Sequence, residues 1–174
     1  MKRPTEAYRS IRLFETGIGH VVVARFKMEN SIAEVGVFLV DAWCLGVKRA
    51  MFTRGLASSF EEKILGDFSE ENPIQPITPS CARKTVEEAA AYALNLGFAP
   101  HPEYKEACRV FGGISVDECS EKFVFGSEGK PFYVRGPNET EARARQILEH
   151  LRRRCGEGNY HFILRLGDGM NPSD

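Results

Sequence analysis

Val35-Gly-Val-Phe-Leu-Val-Asp-Ala-Trp-Cys-Leu-Gly-Val-Lys-Arg49 is an apolar run broken once by a carboxylate, Asp41, and closed by two cations. Val37, Phe38, Leu39 and Val40 follow one another without a polar interruption, which is the pattern of a strand covered on both faces and therefore interior to its sheet. The stretch reads as the central strand. Trp43 and Cys44 extend the apolar character past Asp41, so the carboxylate is flanked by groups that exclude water. Such a group finds a partner or keeps its proton to higher pH. Lys48, Arg49 and Arg25 are the cations on offer. The plainest role for Asp41 is structural, as an acceptor of backbone hydrogen bonds or a salt bridge at a strand end.

Outward from this strand, His20-Val-Val-Val-Ala-Arg-Phe-Lys27 is a second β-rich run. Met28-Glu-Asn-Ser-Ile32 is short enough to join the two as a hairpin. Leu45 to Phe52 bends at Gly46 into a further strand, and residues 1–16 read as a short helix laid on the sheet. Ser59-Phe-Glu-Glu62 fits a capping box and opens a short helix from Phe60 to about Gly66. Residues 69–80 hold Pro73, Pro76 and Pro79 and are expected to lack regular structure. A second capping box, Thr85-Val-Glu-Glu88, opens an alanine-rich helix that stops at Gly97. With Pro102 in first position, another helix runs to Phe111 and completes a helical hairpin.

Lys122 to Gly126 and Lys130 to Arg135 read as a second β-hairpin. Asn138 with Glu141 looks like the cap of a long C-terminal helix, whose Ala144, Ile147, Leu148, Leu151 and Cys155 form one apolar stripe. Tyr160 to Leu166 is a last strand for the sheet. The expected fold is α+β: an antiparallel or mixed sheet of five to six strands, with the helical hairpin and the long helix packed on it.

At 174 residues and 43% hydrophobic content, the chain is expected to form a single domain over 1–166, with 167–174 as a disordered tail. Its formal net charge of -1 provides no global field to attract nucleic acid or an anionic membrane. No apolar run approaches the ~20 residues of a membrane span, and Met1 to Ser10 has no apolar segment behind its basic residues, so a cytoplasmic location is expected. The 5 cysteines, Cys44, Cys81, Cys108, Cys119 and Cys155, include no C-x-x-C pair and read as reduced thiols. No metal site and no cofactor motif is apparent: the nearest match, Gly126-x-x-Gly129-Lys130, lacks phosphate-loop spacing and is followed by Pro131.

Phe38-Leu-Val-Asp-Ala-Trp-Cys-Leu-Gly-Val-Lys48, Tyr92-Ala-Leu-Asn-Leu-Gly-Phe-Ala-Pro-His-Pro-Glu-Tyr104 and Phe125-Gly-Ser-Glu-Gly-Lys-Pro-Phe-Tyr-Val-Arg-Gly-Pro137 resemble blocks of an uncharacterised bacterial family. The likeness spans roughly residues 18 to 164. It implies a single bacterial domain and no particular chemistry.

Three polar groupings remain. Asp41 with Lys48 lies on the interior strand. His101, Glu103 and Tyr104 share the helical elbow, where a histidine has an ordinary capping role. Lys130, Tyr133 and Arg135 run into the helix start around Asn138, where free amides and two cations suit an anion, although Glu139 and Glu141 would already complement the helix dipole. Arg152 and Arg153 belong to a basic face of that helix, which is the normal condition of a solvated face.

Two functions follow as expectations. One is a binding module for RNA, a nucleotide or an acidic partner protein through Lys130, Tyr133, Arg135, Asn138, Arg152 and Arg153. The other is a hydrolase-type enzyme with Asp41 or His101 as acid or base and Lys48 or Arg135 holding an anion. The oligomeric state is not legible in the sequence.

Overall fold

The structure, a computed structural model, describes residues 5–68 and 72–164. The expected tail at 167–174 lies outside the described residues. Strands β1 (Glu6–Ser10), β2 (Ile18–Lys27), β3 (Ile32–Asp41), β4 (Gly46–Leu56) and β5 (Ile74–Ile77) form one five-stranded sheet in the order β4-β3-β2-β1-β5. Every neighbouring pair is antiparallel. The helical segments are α1 (Leu13–Thr16), α2 (Ala57–Ser59), which runs on through a π turn at Phe60–Ile64, α3 (Pro79–Asn95), α4 (Tyr104–Ala107) and α5 (Glu141–Cys155). Strands β6 (Phe132–Val134) and β7 (His161–Ile163) pair in parallel as a separate two-stranded sheet.

The α+β reading holds, and β3 is interior as its apolar run requires. β2, with Val21, Val22 and Val23 wholly buried, takes the centre instead. One sheet face packs Phe38, Val40 and Val47 against Val86, Ala89 and Ala90 of α3 and Val110 and Phe111 beyond α4. Small residues on α3 let it lie close: a β-carbon on Gly46 would come within 2.6 Å of Ala93 Cβ, and Gly46 has φ +67, a conformation open to glycine. The other face packs Val22, Phe26 and Val35 against Ala57 and Phe60. Helix α5 buries its Ala144, Ile147 and Leu151 stripe on Cys44, Leu45, Phe98 and Tyr133.

Several local expectations give way to tertiary packing. Glu6–Ser10 is a strand, not a helix, because β2 offers a free edge on which Tyr8 pairs opposite Val22. The proline-containing loop contains β5, and Pro76 is tolerated there because β5 is an edge strand, where a missing N–H leaves no ladder bond unmade. Helix α3 begins at Pro79 under a Thr78 cap, whose hydroxyl accepts from Cys81 N at 3.2 Å. Thr85 therefore lies inside the helix and turns its hydroxyl onto Cys81 O. Ser59 makes no capping bond. The hairpin expected over 122–135 does not form. Phe123 and Phe125 pack onto Phe14 instead, and β6 takes β7 as its partner.

The cysteine reading is corrected. Cys81 and Cys119 form a disulfide across a separation of 38 residues, while Cys44, Cys108 and Cys155 are free. Spacing could not reveal the pair, since the fold alone brings the two Cα atoms to 5.0 Å.

Candidate functional site

A cleft of about 580 Å³ opens where β3 ends. Its walls come from Gly17, Asp41, Trp43, Lys48, Arg49, Phe132 and the Arg135 to Glu139 approach to α5. Asp41 terminates β3 and starts the turn into β4, and its Oδ1 accepts from the backbone N–H of Trp43 and of Cys44, each at 3.0 Å. At 7% exposure the carboxyl is buried. Burial pushes it up to about 6, offset only in part by N–H donors of the turn and by the charge of Lys48.

Lys48 and Arg49 are sequence neighbours, which a regular strand would send to opposite faces. The β3–β4 register slips at this point: Leu39 pairs with Arg49 and Val40 with Val47, leaving Lys48 as the extra residue of a bulge. Bulges re-aim side chains in this way, and both cations line the cleft. Lys48 does not pair with Asp41. Its Nζ donates to Glu139 Oε1 at 2.6 Å, across 91 positions of sequence.

Glu139 can reach inward because α5 is capped by Thr140, whose hydroxyl accepts from Arg143 N at 3.1 Å, and not by Asn138. Glu139 thus precedes the cap and is not spent on the helix dipole. Its Oε2 accepts from the Tyr133 hydroxyl, and its backbone oxygen accepts from Arg135 Nε at 3.0 Å. Burial alone would raise its carboxyl, but the Lys48 and Tyr133 bonds outweigh that and hold it below the usual carboxylate range. Burial pushes the Tyr133 hydroxyl well up, and the bond to Glu139 adds to this, so it stays a donor.

Trp43 forms the apolar wall, stacked on Phe132 with ring centroids 5.0 Å apart. Its other face lies against Gly17, where a β-carbon would come within 2.2 Å of the indole. With Lys48 and Glu139 satisfying each other, Arg49 and Arg135 remain without a carboxylate partner among the described residues. The cleft therefore has surplus positive charge beside an aromatic wall and above a buried carboxyl.

Members of two of the three sequence groupings converge here: Asp41 and Lys48 line the cleft with Arg135 and Asn138, while Tyr133, wholly buried, reaches it only through its bond to Glu139. His101 does not join them. It lies in an adjacent groove on the far side of the Lys48–Glu139 pair, and its Nδ1 accepts from Glu103 N at 3.2 Å, a local turn bond just ahead of α4, whose start has no side-chain cap. Lys130 donates to Gly158 O at 2.9 Å. Arg152 and Arg153 share Glu149 on the exposed face of α5, away from the cleft. Trp43, Arg49, Phe132 and Glu139 were not singled out as site residues in the sequence. Only the adjacent aromatic and cation of the β3–β4 stretch hinted at Trp43 and Arg49.

No helix among the described residues is long and apolar enough to cross a membrane. No family model matches the chain, and neither a curated protein nor a solved structure does.

Proposed function

We propose that the protein is a binding module for a small anion that carries a flat apolar part, held in the Asp41 to Glu139 cleft. The observation that carries this reading is the pair of guanidinium groups, Arg49 and Arg135, that line the cleft and form no ion pair with a carboxylate among the described residues. Arginine presents a planar fork of donors suited to carboxylate or phosphate. The Trp43–Phe132 wall supplies apolar contact, and the volume suits a ligand of metabolite size. RNA or an acidic protein on the Arg152 and Arg153 face has less support, because both side chains are already satisfied by Glu149.

The test is calorimetric titration with phenyl phosphate, which combines a ring with a dianion. Binding that weakens with added salt, and by about tenfold in Arg49→Ala and in Arg135→Ala, is the expected result. Absence of binding at millimolar phenyl phosphate and of any other aromatic anion overturns the reading.

A second reading, a hydrolase-type enzyme, draws on one observation: the Asp41 carboxyl sits near 6 at the edge of the cleft, where it can carry a proton near neutral pH. Turnover of an aromatic ester or phosphoester that Asp41→Asn abolishes would favour this reading over simple binding.

A further inference from the structure

From Gly112 to Pro131 the chain has no strand and only a single short 3-10 turn, Val116–Glu118, with one isolated bridge between Ser127 and Lys130. This strap lies along α3 and is tied down at Cys119, bonded to Cys81 in the first turn of that helix. Further ties are polar: Arg83 to Ile114 O, Lys84 to Glu121 O, Ser80 to Glu118 and Arg9 to Glu121. Beyond Cys119 the strap drops Phe123 and Phe125 onto Phe14, and Gly126 N donates to Ala42 O at 2.9 Å. Ala42 adjoins Asp41 and Trp43. A few residues later Phe132 N donates to Trp43 O at 3.0 Å, and Phe132 and Arg135 form the cleft wall.

We propose that the Cys81–Cys119 disulfide is a redox latch on this cleft: oxidised, it holds the strap and the wall that continues from it, and reduction by a dithiol loosens both. Where it concerns ligand affinity, the inference rests on the anion-binding reading above.

The chemistry is ordinary thiol–disulfide exchange. A thiolate of the reductant attacks one sulfur and forms a mixed disulfide, expelling the other cysteine as a thiolate. The reductant's second thiol then displaces the remaining cysteine. The protein takes up two electrons and two protons, and the dithiol closes into its own disulfide. Cys81 is the better leaving sulfur: it sits in the N-terminal turn of a 17-residue helix, where the dipole favours an anion. Glu121, whose carboxylate lies within 4.8 Å of both sulfurs, is neutralised by Arg9 at 3.0 Å. Attack therefore falls on Cys119, itself only 6% exposed, which a reductant reaches from the strap side, where its chain neighbours Glu118 and Ser120 are exposed.

The lone tryptophan makes the coupling measurable without a ligand, since Trp43 stands between Gly17 and Phe132 in the cleft wall. The full chain is compared oxidised and after treatment with dithiothreitol, with reduction verified by maleimide mass tagging. Cys81→Ser with Cys119→Ser serves as a second route to the open state. The expected results are faster hydrogen exchange over residues 112–135, a red shift of Trp43 emission, and phenyl phosphate affinity lower by about tenfold on reduction. Complete reduction that leaves both the exchange and the Trp43 emission unchanged overturns the latch. If the oxidised protein fails to bind phenyl phosphate, that counts against the anion reading, while the Trp43 and exchange measurements still decide the latch.

Discussion

Asp41 is where the structure makes its sharpest energetic statement. A carboxyl normally near 3.8 but raised to about 6 binds its proton more tightly folded than unfolded. Its contribution to stability is complete below about pH 4, is lost as pH rises through 6, and is absent at pH 7.5. The gap between the two values corresponds to about 3 kcal/mol, so at neutral pH the native protein carries a strained, ionised group. Asp41→Asn keeps an Oδ1 acceptor for the N–H groups of Trp43 and Cys44 but cannot ionise. Urea denaturation of native and variant from pH 4 to pH 7.5 isolates the effect, because any fixed cost of the amide cancels from the change in their difference. The variant should gain up to about 3 kcal/mol on the native protein over that range. In melting temperature the gain is on the order of 10 °C. A difference that stays flat with pH, or that moves toward the native protein, would show that turn hydrogen bonds and Lys48 compensate the burial and would refute the reasoning. A confirmed cost would mark Asp41 as retained for something other than stability, as functional carboxyls often are.

Gly17→Ala should displace Trp43 and lower stability by about 2 kcal/mol or more, since the new methyl meets the indole and the backbone there has φ +80; an unchanged Trp43 emission spectrum would contradict this. Glu139→Ala leaves Lys48 and the Tyr133 hydroxyl without their acceptor in a partly buried place, with an expected loss of about 2 kcal/mol by denaturation. Tyr133→Phe should cost less, because it removes only one of the two bonds. Reducing the Cys81–Cys119 bond, which closes a loop of 38 residues, should lower unfolding free energy by up to about 4 kcal/mol in the chain-entropy account. Leu151→Ala, at a wholly buried position under α5, should cost about 2 to 5 kcal/mol and detach the helix that follows the cleft.

Local sequence is sufficient where packing and propensity agree. The apolar runs of β2 and β3, the hairpin between them and the stripe of α5 all depend on neighbours within a few residues. Failures occur where a distant partner decides. Glu6–Ser10 has no strong strand pattern and becomes a strand because β2 has an edge to fill. Lys122 to Gly126 has a fair strand pattern and is not one, because Phe14 and Tyr92 offer its phenylalanines a better surface. At α5, Thr140 displaced Asn138 as the cap, and that shift freed Glu139 to turn into the cleft.

An α+β chain with an interior strand ending in a carboxylate is legible in local sequence, because short-range alternation and burial preference need no distant partner. Long-range packing alone brings Asp41, Lys48 and Arg49 to Arg135 and Glu139, leaves His101 outside and joins Cys81 to Cys119. The Lys48–Glu139 bond alone joins positions 91 residues apart, and a bulge, a cap and a loop crossing set the geometry of the site. Each is fixed by what packs against it, so no window of sequence contains it.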